Sequence, residues 1–184
     1  MAISTFGRAI GVNSDNTYLE DSTKTVDTTE TLIFAGRPVY IDGSGAPALT
    51  PVLHAYDANS NNLRVYGIAK FNKNVYIDET KGALGGIYGG GKGTVVKKGI
   101  VSIRPISFIL SNDTELTVDM YNSALTYLVG QPLYVELYNA SKLGQITNVL
   151  DTTHTGAGVN GTTLLGYVTK PPSATDPVLE LELI

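Results

Sequence analysis

Apolar and polar residues along this chain alternate over short runs and rarely keep helical spacing. The clearest case is the last stretch, where Leu179, Leu181 and Leu183 alternate with Glu180 and Glu182, the pattern of a strand with one buried and one wet face. Val39-Tyr40-Ile41 and Leu133-Tyr134-Val135 are β-branched, aromatic and apolar, residues that suit a pleated, half-buried surface. Both lie in a repeated frame, Gly36-Arg37-Pro38-Val39-Tyr40-Ile41-Asp42 and Gly130-Gln131-Pro132-Leu133-Tyr134-Val135-Glu136. Proline cannot donate a ladder hydrogen bond, so it predicts the first residue of a strand or an edge, and the glycine two residues earlier permits a sharp entry. Each copy follows the same tripeptide, Thr25-Val26-Asp27 and Thr117-Val118-Asp119, and precedes a related segment, Gly67-Ile68-Ala69-Lys70 and Gly166-Tyr167-Val168-Thr169-Lys170. Short apolar triplets recur by chance in β-rich chains, but flanks matching in the same order favour a duplicated β-unit.

Between these frames the chain reads as strands and turns. Val52 to Tyr56 and Leu63 to Ala69 flank the Asn-rich stretch Asp57 to Asn62, which predicts a hairpin. Further strands are expected at Val75 to Ile77, at Thr94 to Ile103 with a bend at Gly99, and at Leu164 to Thr169; Pro105 to Leu110 continues apolar. Lys81 to Gly93 holds seven glycines in thirteen residues, which predicts a mobile loop or a surface of close approach. Asn112 to Leu128 is ambiguous: Leu116, Met120, Ala124, Tyr127 and Leu128 fall on one helical face, which allows one short helix over 121–129. The expected fold is all-β, a barrel or sandwich of short strands. A flexible arm over 1–25 would precede a single domain over 26–184 holding two related units, 26–70 and 118–170. An ordinary N-terminal strand with ragged ends is the competing reading of the arm.

At 184 residues one domain can bury a sizeable core without staples. Cysteine is absent, which removes disulfides, thiolate metal sites and cysteine nucleophiles together. A net charge of -4 and a pI near 5.1 argue against direct nucleic-acid binding. The opening residues show neither the basic nor the apolar region of a signal peptide, and the longest apolar runs are too short to span a bilayer, so a soluble protein is expected. Charge is unevenly placed. Arg64, Lys70, Lys73, Lys81, Lys92, Lys97, Lys98 and Arg104 stand against only Asp78 and Glu79 within 64–104, so this segment carries +6. The remainder, five basic against fifteen acidic residues, carries −10. Such segregation can steer docking to an acidic partner or sister subunit, or simply form a solvated face.

No stretch spells a catalytic or metal site. Gly86 to Gly93 nearly matches a phosphate-binding loop, but Gly93 replaces the hydroxyl residue after Lys92 and a strand pattern follows where a helix is required. Asp57, Asn59 and Asn61 have calcium-loop spacing without the glycine and glutamate that complete it. His54 and His154 are the only histidines, a hundred positions apart, and no carboxylate pair is set apart for acid–base work. The expectation is a non-enzyme with no catalytic residue, metal or cofactor.

The Gly-x-Pro-apolar-Tyr strands, the Gly-rich middle, Lys97-Lys98-Gly99-Ile100-Val101 and the ending Leu165-Gly166-Tyr167-Val168 … Leu179-Glu180-Leu181 resemble the capsid decoration, or structural cement, proteins of tailed bacteriophages. The resemblance is diffuse over residues 25 to 184. It implies a virion protein on the outer surface of the capsid, made in the host cytoplasm, that stabilises the expanded head by clamping major capsid protein subunits. It also implies a homo-oligomer, with a trimer favoured, and no enzymatic activity. A carbohydrate-binding or tail-fibre-type β-sandwich using exposed tyrosines is the alternative, and a small β-fold hydrolase using His54 or His154 is a third reading.

Overall fold

A computed structural model describes residues 6–7, 10–12, 19–30, 32–42, 52–55, 65–70, 73–78, 82–104, 106–109, 115–118, 120–136, 144–152 and 162–184. The strands are β1 (Phe6–Gly7), β2 (Ile10–Val12), β3 (Leu19–Asp21), β4 (Thr25–Val26), β5 (Leu32–Phe34), β6 (Pro38–Asp42), β7 (Val52–Ala55), β8 (Gly67–Ala69) and β9 (Lys73–Asp78). They continue with β10 (Gly82–Tyr88), β11 (Val95–Ile103), β12 (Ile106–Ile109), β13 (Glu115–Val118), β14 (Pro132–Glu136), β15 (Ile146–Thr147), β16 (Thr162–Lys170) and β17 (Leu179–Leu183). The protein is all-β: no helix forms among the described residues, and eleven of the strands make a nearly closed, barrel-like, mostly antiparallel sheet, beside a four-stranded sheet (β1, β5, β9 and β10) and the two-stranded β12–β13. Its main path runs β15-β14-β16-β17-β11-β8-β6-β7-β4.

The two Gly-x-Pro frames make the same backbone network. Gly36 and Gly130 both take positive φ, 97° and 83°, which glycine adopts without steric cost. The N–H of the next residue closes a turn, Arg37 to the Phe34 carbonyl at 3.1 Å and Gln131 to the Leu128 carbonyl at 3.1 Å. Gly36 donates to the Ala69 carbonyl and Gly130 to the Val168 carbonyl, each at 2.8 Å, while Ala69 and Val168 donate back to Arg37 and Gln131. Pro38 then pairs with Ile68 and Val39 with Gly67, as Pro132 pairs with Tyr167 and Leu133 with Gly166. Each proline is the first residue of its strand, so its missing donor breaks no ladder.

The correspondence extends upstream, but not through the matching tripeptides. Val26 pairs in parallel with Leu53, and its geometric counterpart is Tyr121, bridged in parallel to Ile146. Asp27 accepts from the Thr29 N–H at 2.7 Å and Asn122 from the Ala124 N–H at 3.2 Å; the same two residues offer carbonyls to Glu30 and Leu125. Val118, by contrast, belongs to the β12–β13 hairpin opposite Ile106. The main path is therefore palindromic about β17 and β11: β16 answers β8, β14 answers β6, β15 answers β7, and the Tyr121 bridge answers β4.

Burial follows from this order. Leu179, Leu181 and Leu183 are buried and Glu182 is exposed, as the alternation requires. β6 contributes to two cores, Val39 to a small one with Val26, Ile33, Ala69, Ile87 and Val95, and Tyr40 to the main one. Coverage of both faces explains why Val39-Tyr40-Ile41 reads as continuous apolar. β14 instead alternates buried Leu133 and Val135 with half-buried Tyr134.

Three expectations change. The glycine-rich stretch is strand β10 up to Tyr88, paired with β9, β1 and β5, because ladder bonds on both edges hold a backbone that side chains do not. Close approach applies at Gly89, where a Cβ would lie 1.8 Å from the Glu30 carbonyl oxygen. Strands β7 and β8 do not form a hairpin; both pair with β6, which lies between them. The short helix over 121–129 is replaced by turns, since polar side chains of Asn122, Gln131 and Asn148 bond the backbone at Ala124, Leu128 and Thr126 and compete with helical bonds. Within residues 1–25, β1, β2 and β3 pair with β10 and β11.

Candidate functional site

One groove lies beside the first unit, where β3, β6 and β11 meet Ile184. About 400 Å³ is lined by Leu19, Ile41, Val65, Tyr66, Lys97, Lys98 and Ile184. It adjoins a recess of about 240 Å³ walled by Val65 and Tyr66 of the first unit with Lys97 of β11, and by Leu164 and Leu165 of the second unit with Leu183 of β17. Counted from the paired glycines and from Val96 and Glu182, Val65 corresponds to Leu164, Tyr66 to Leu165 and Lys97 to Leu183. The recess thus sits between matching positions of the repeat. Gly67 and Gly166 allow this approach, since a Cβ at either would lie 2.4 Å from the Val96 carbonyl oxygen or 2.0 Å from that of Glu182.

Polar contacts fix the groove's floor. The Tyr66 hydroxyl donates to Asp21 Oδ2, and Thr23 donates to Asp21 Oδ1 through its N–H at 2.7 Å and its hydroxyl at 2.6 Å. These bonds, the Thr23 hydroxyl foremost, hold the Asp21 carboxyl well below the usual range. Burial, then the bond to Asp21, pushes the Tyr66 phenol up to about 12, so it is neutral at physiological pH and serves as a donor. Lys97 Nζ lies 4.4 Å from the centre of the Tyr66 ring, a cation–π contact. Lys70 pairs with Glu20, so acids of β3 neutralise part of the basic segment. Lys98 is exposed, beside the exposed apolar side chains of Leu19 (54%) and Ile184 (64%). Two ammonium groups set among apolar walls suit an acidic partner that also brings apolar surface.

A second apolar surface lies at the end of the second unit, where Leu128, Val129, Val149 and Leu150 are all exposed. Asn148 Nδ2 ties the two loops together, donating to the Thr126 carbonyl at 2.7 Å and to Gln131 Oε1 at 3.1 Å.

The sequence motifs do not converge on either place. His54 lies in β7 opposite Tyr40, while His154 and Asp57, Asn59 and Asn61 lie outside the described residues. The phosphate-loop-like stretch leads into strand β11, and Lys92 Nζ donates to the Thr23 carbonyl at 3.0 Å. Among the described residues no group of three His, Asp or Glu side chains could hold a metal ion, and no helix is long and apolar enough to cross a membrane. Of the basic segment, Lys97 and Lys98 reach the groove; Leu19 and Ile184, its exposed walls, carry no sequence motif. No family model matches the chain, and no curated protein is significantly similar to it.

Proposed function

We propose that this chain is a non-enzymatic virion structural protein that decorates a tailed-phage capsid and stabilises it by binding major capsid protein subunits. The observation that carries the reading is the groove in which Lys97 and Lys98 are set against exposed Leu19 and Ile184. A component that works through contact area needs such a surface, and its cations steer it to an acidic shell. The sequence resemblance to structural cement proteins supports the same reading, which includes a location on the outer face of the virion, a homo-oligomeric state and no direct contact with the packaged genome. The carbohydrate-binding alternative finds less support at this groove, because the Lys97 ammonium covers a Tyr66 face that a sugar would stack on. The test is thermal disruption of expanded tailed-phage heads with and without the protein. A raised disruption temperature at saturating protein is expected, and no shift would count against the proposal.

A further inference from the structure

Adjacent residues of a regular strand face opposite sides of the sheet, yet Lys97 and Lys98 both line the groove. The register of β11 against β3 accounts for this. Val96 pairs with Glu20 and Lys98 with Leu19, so β11 takes two steps where β3 takes one, and Lys97 is the extra residue of a β-bulge. A bulge breaks the alternation and re-aims a side chain, here adding a second ammonium group to a surface that alternation would give only one. Lys24, Lys70 and Lys170 are paired with Asp21, Glu20 and Asp176. Lys97 and Lys98 make no ion pair among the described residues, and Lys97 rests on the Tyr66 ring. Apolar walls run beside both cations. Lys97 is common to the groove and to the recess, where Leu164 and Leu183 stand near it, while Lys98 lines only the groove, with Leu19 and Ile184.

We infer that the bulged Lys97–Lys98 pair and the recess form a peptide-recognition site, which takes an extended acidic segment of the partner with one bulky apolar side chain in the recess and carboxylates beside it on the two ammonium groups. This rests on the proposed function and names the part of the acidic shell that the chain holds. Charge complementarity selects the occupant. The chain carries -4 overall, so a local pair of unneutralised cations attracts a few carboxylates while the rest of the molecule repels a long polyanion such as nucleic acid. An ammonium–carboxylate contact beside apolar walls is a charge-assisted hydrogen bond, stronger than a neutral one. Size selects a peptide over a small anion. The recess of about 240 Å³ has room for a bulky side chain, and an occupant that also covers Leu19 and Ile184, 54% and 64% exposed, needs more surface than a small carboxylate has.

The probe is the peptide Ser-Gly-Phe-Asp-Glu-Asp-Gly-Ser, whose consecutive acids cover either spacing to the lysines, titrated into the full chain and followed by amide and methyl NMR. One control peptide replaces Phe by Ser, another replaces the acids by their amides, and sodium acetate is the third control. Expected are saturable shifts at Lys97, Lys98, Leu164 and Leu183, with each control binding roughly tenfold more weakly. Lys97→Gln and Lys98→Gln should each weaken the probe roughly threefold, because the bulge sets both in the groove, and Lys170→Gln should leave it unchanged. No saturable binding up to about 5 mM, controls that bind as well as the probe, or a silent Lys98→Gln overturns the inference. The control peptides act on the parent chain and decide the question if a variant fails to fold by circular dichroism. A parent that self-associates in sedimentation velocity, and loses this in Lys97→Gln/Lys98→Gln, gives the groove to a second copy and overturns it too. Stabilised heads without probe binding remove this site and leave the proposed function; probe binding without any effect on heads does the reverse.

Discussion

A methyl group added at Gly166 would lie 2.0 Å from the Glu182 carbonyl oxygen, whereas one added at Gly130 would meet nothing within 4 Å. Gly130→Ala suffers only from its positive φ, which costs about 1 kcal/mol. Gly166→Ala forces β16 from β17, and overpacking of that kind costs about 3 kcal/mol. Urea denaturation of both variants should rank them in that order, and a smaller loss at Gly166 would contradict the close approach. Asp21 and Tyr66 give a pH signature. The depressed Asp21 pKa contributes stability that is present above the ordinary aspartate value near 4 and is lost as pH falls through the lower folded value. The raised Tyr66 pKa contributes stability present below about 10 and lost as pH rises through about 12. In a carboxyl-carbon NMR titration Thr23→Val should move Asp21 upward, since the Thr23 hydroxyl is the largest cause of its shift. An Asp21 that titrates near 4 in the parent would refute the described bonds.

At the scale of elements, the legible strands were those whose side chains report a face. β17 is readable from Leu179, Leu181 and Leu183, and β11 from its apolar run with the bend at Gly99, whose φ is 113°. β10 was hidden because glycine has no side chain to show a period, and the β7–β8 hairpin misled because adjacency in sequence says nothing about β6 lying between. The false helix came from apolar spacing that polar side chains at Asn122, Gln131 and Asn148 override. The upstream repeat was mismatched because the true counterparts, Val26-Asp27 and Tyr121-Asn122, share geometry and not identity. Two element-level outcomes follow. Leu181→Ala empties a fully buried site in β17 and should cost about 3 kcal/mol, while Leu164→Ala, on an exposed position of β16, should cost far less. Asn122→Ala removes the bond to the Ala124 N–H and should cost about 1 kcal/mol. Thermal melts check both, and equal losses at Leu181 and Leu164 would contradict the described burial.

For the whole molecule, the groove was illegible in the sequence because its lining comes from positions 19, 41, 65, 66, 97, 98 and 184, which only folding brings together. The charge segregation was legible, but its meaning was not: Glu20 meets Lys70, while Lys97 and Lys98 reach the groove. Lys97→Glu/Lys98→Glu should weaken attachment to an acidic shell by roughly tenfold, and more at low salt than at high salt. The most direct measurement is cosedimentation of the purified chain with expanded and unexpanded tailed-phage heads across a range of concentrations. Saturable binding to expanded heads that falls in the double lysine variant is the predicted result. Absence of binding to either form at concentrations well above those of the head subunits would contradict the account.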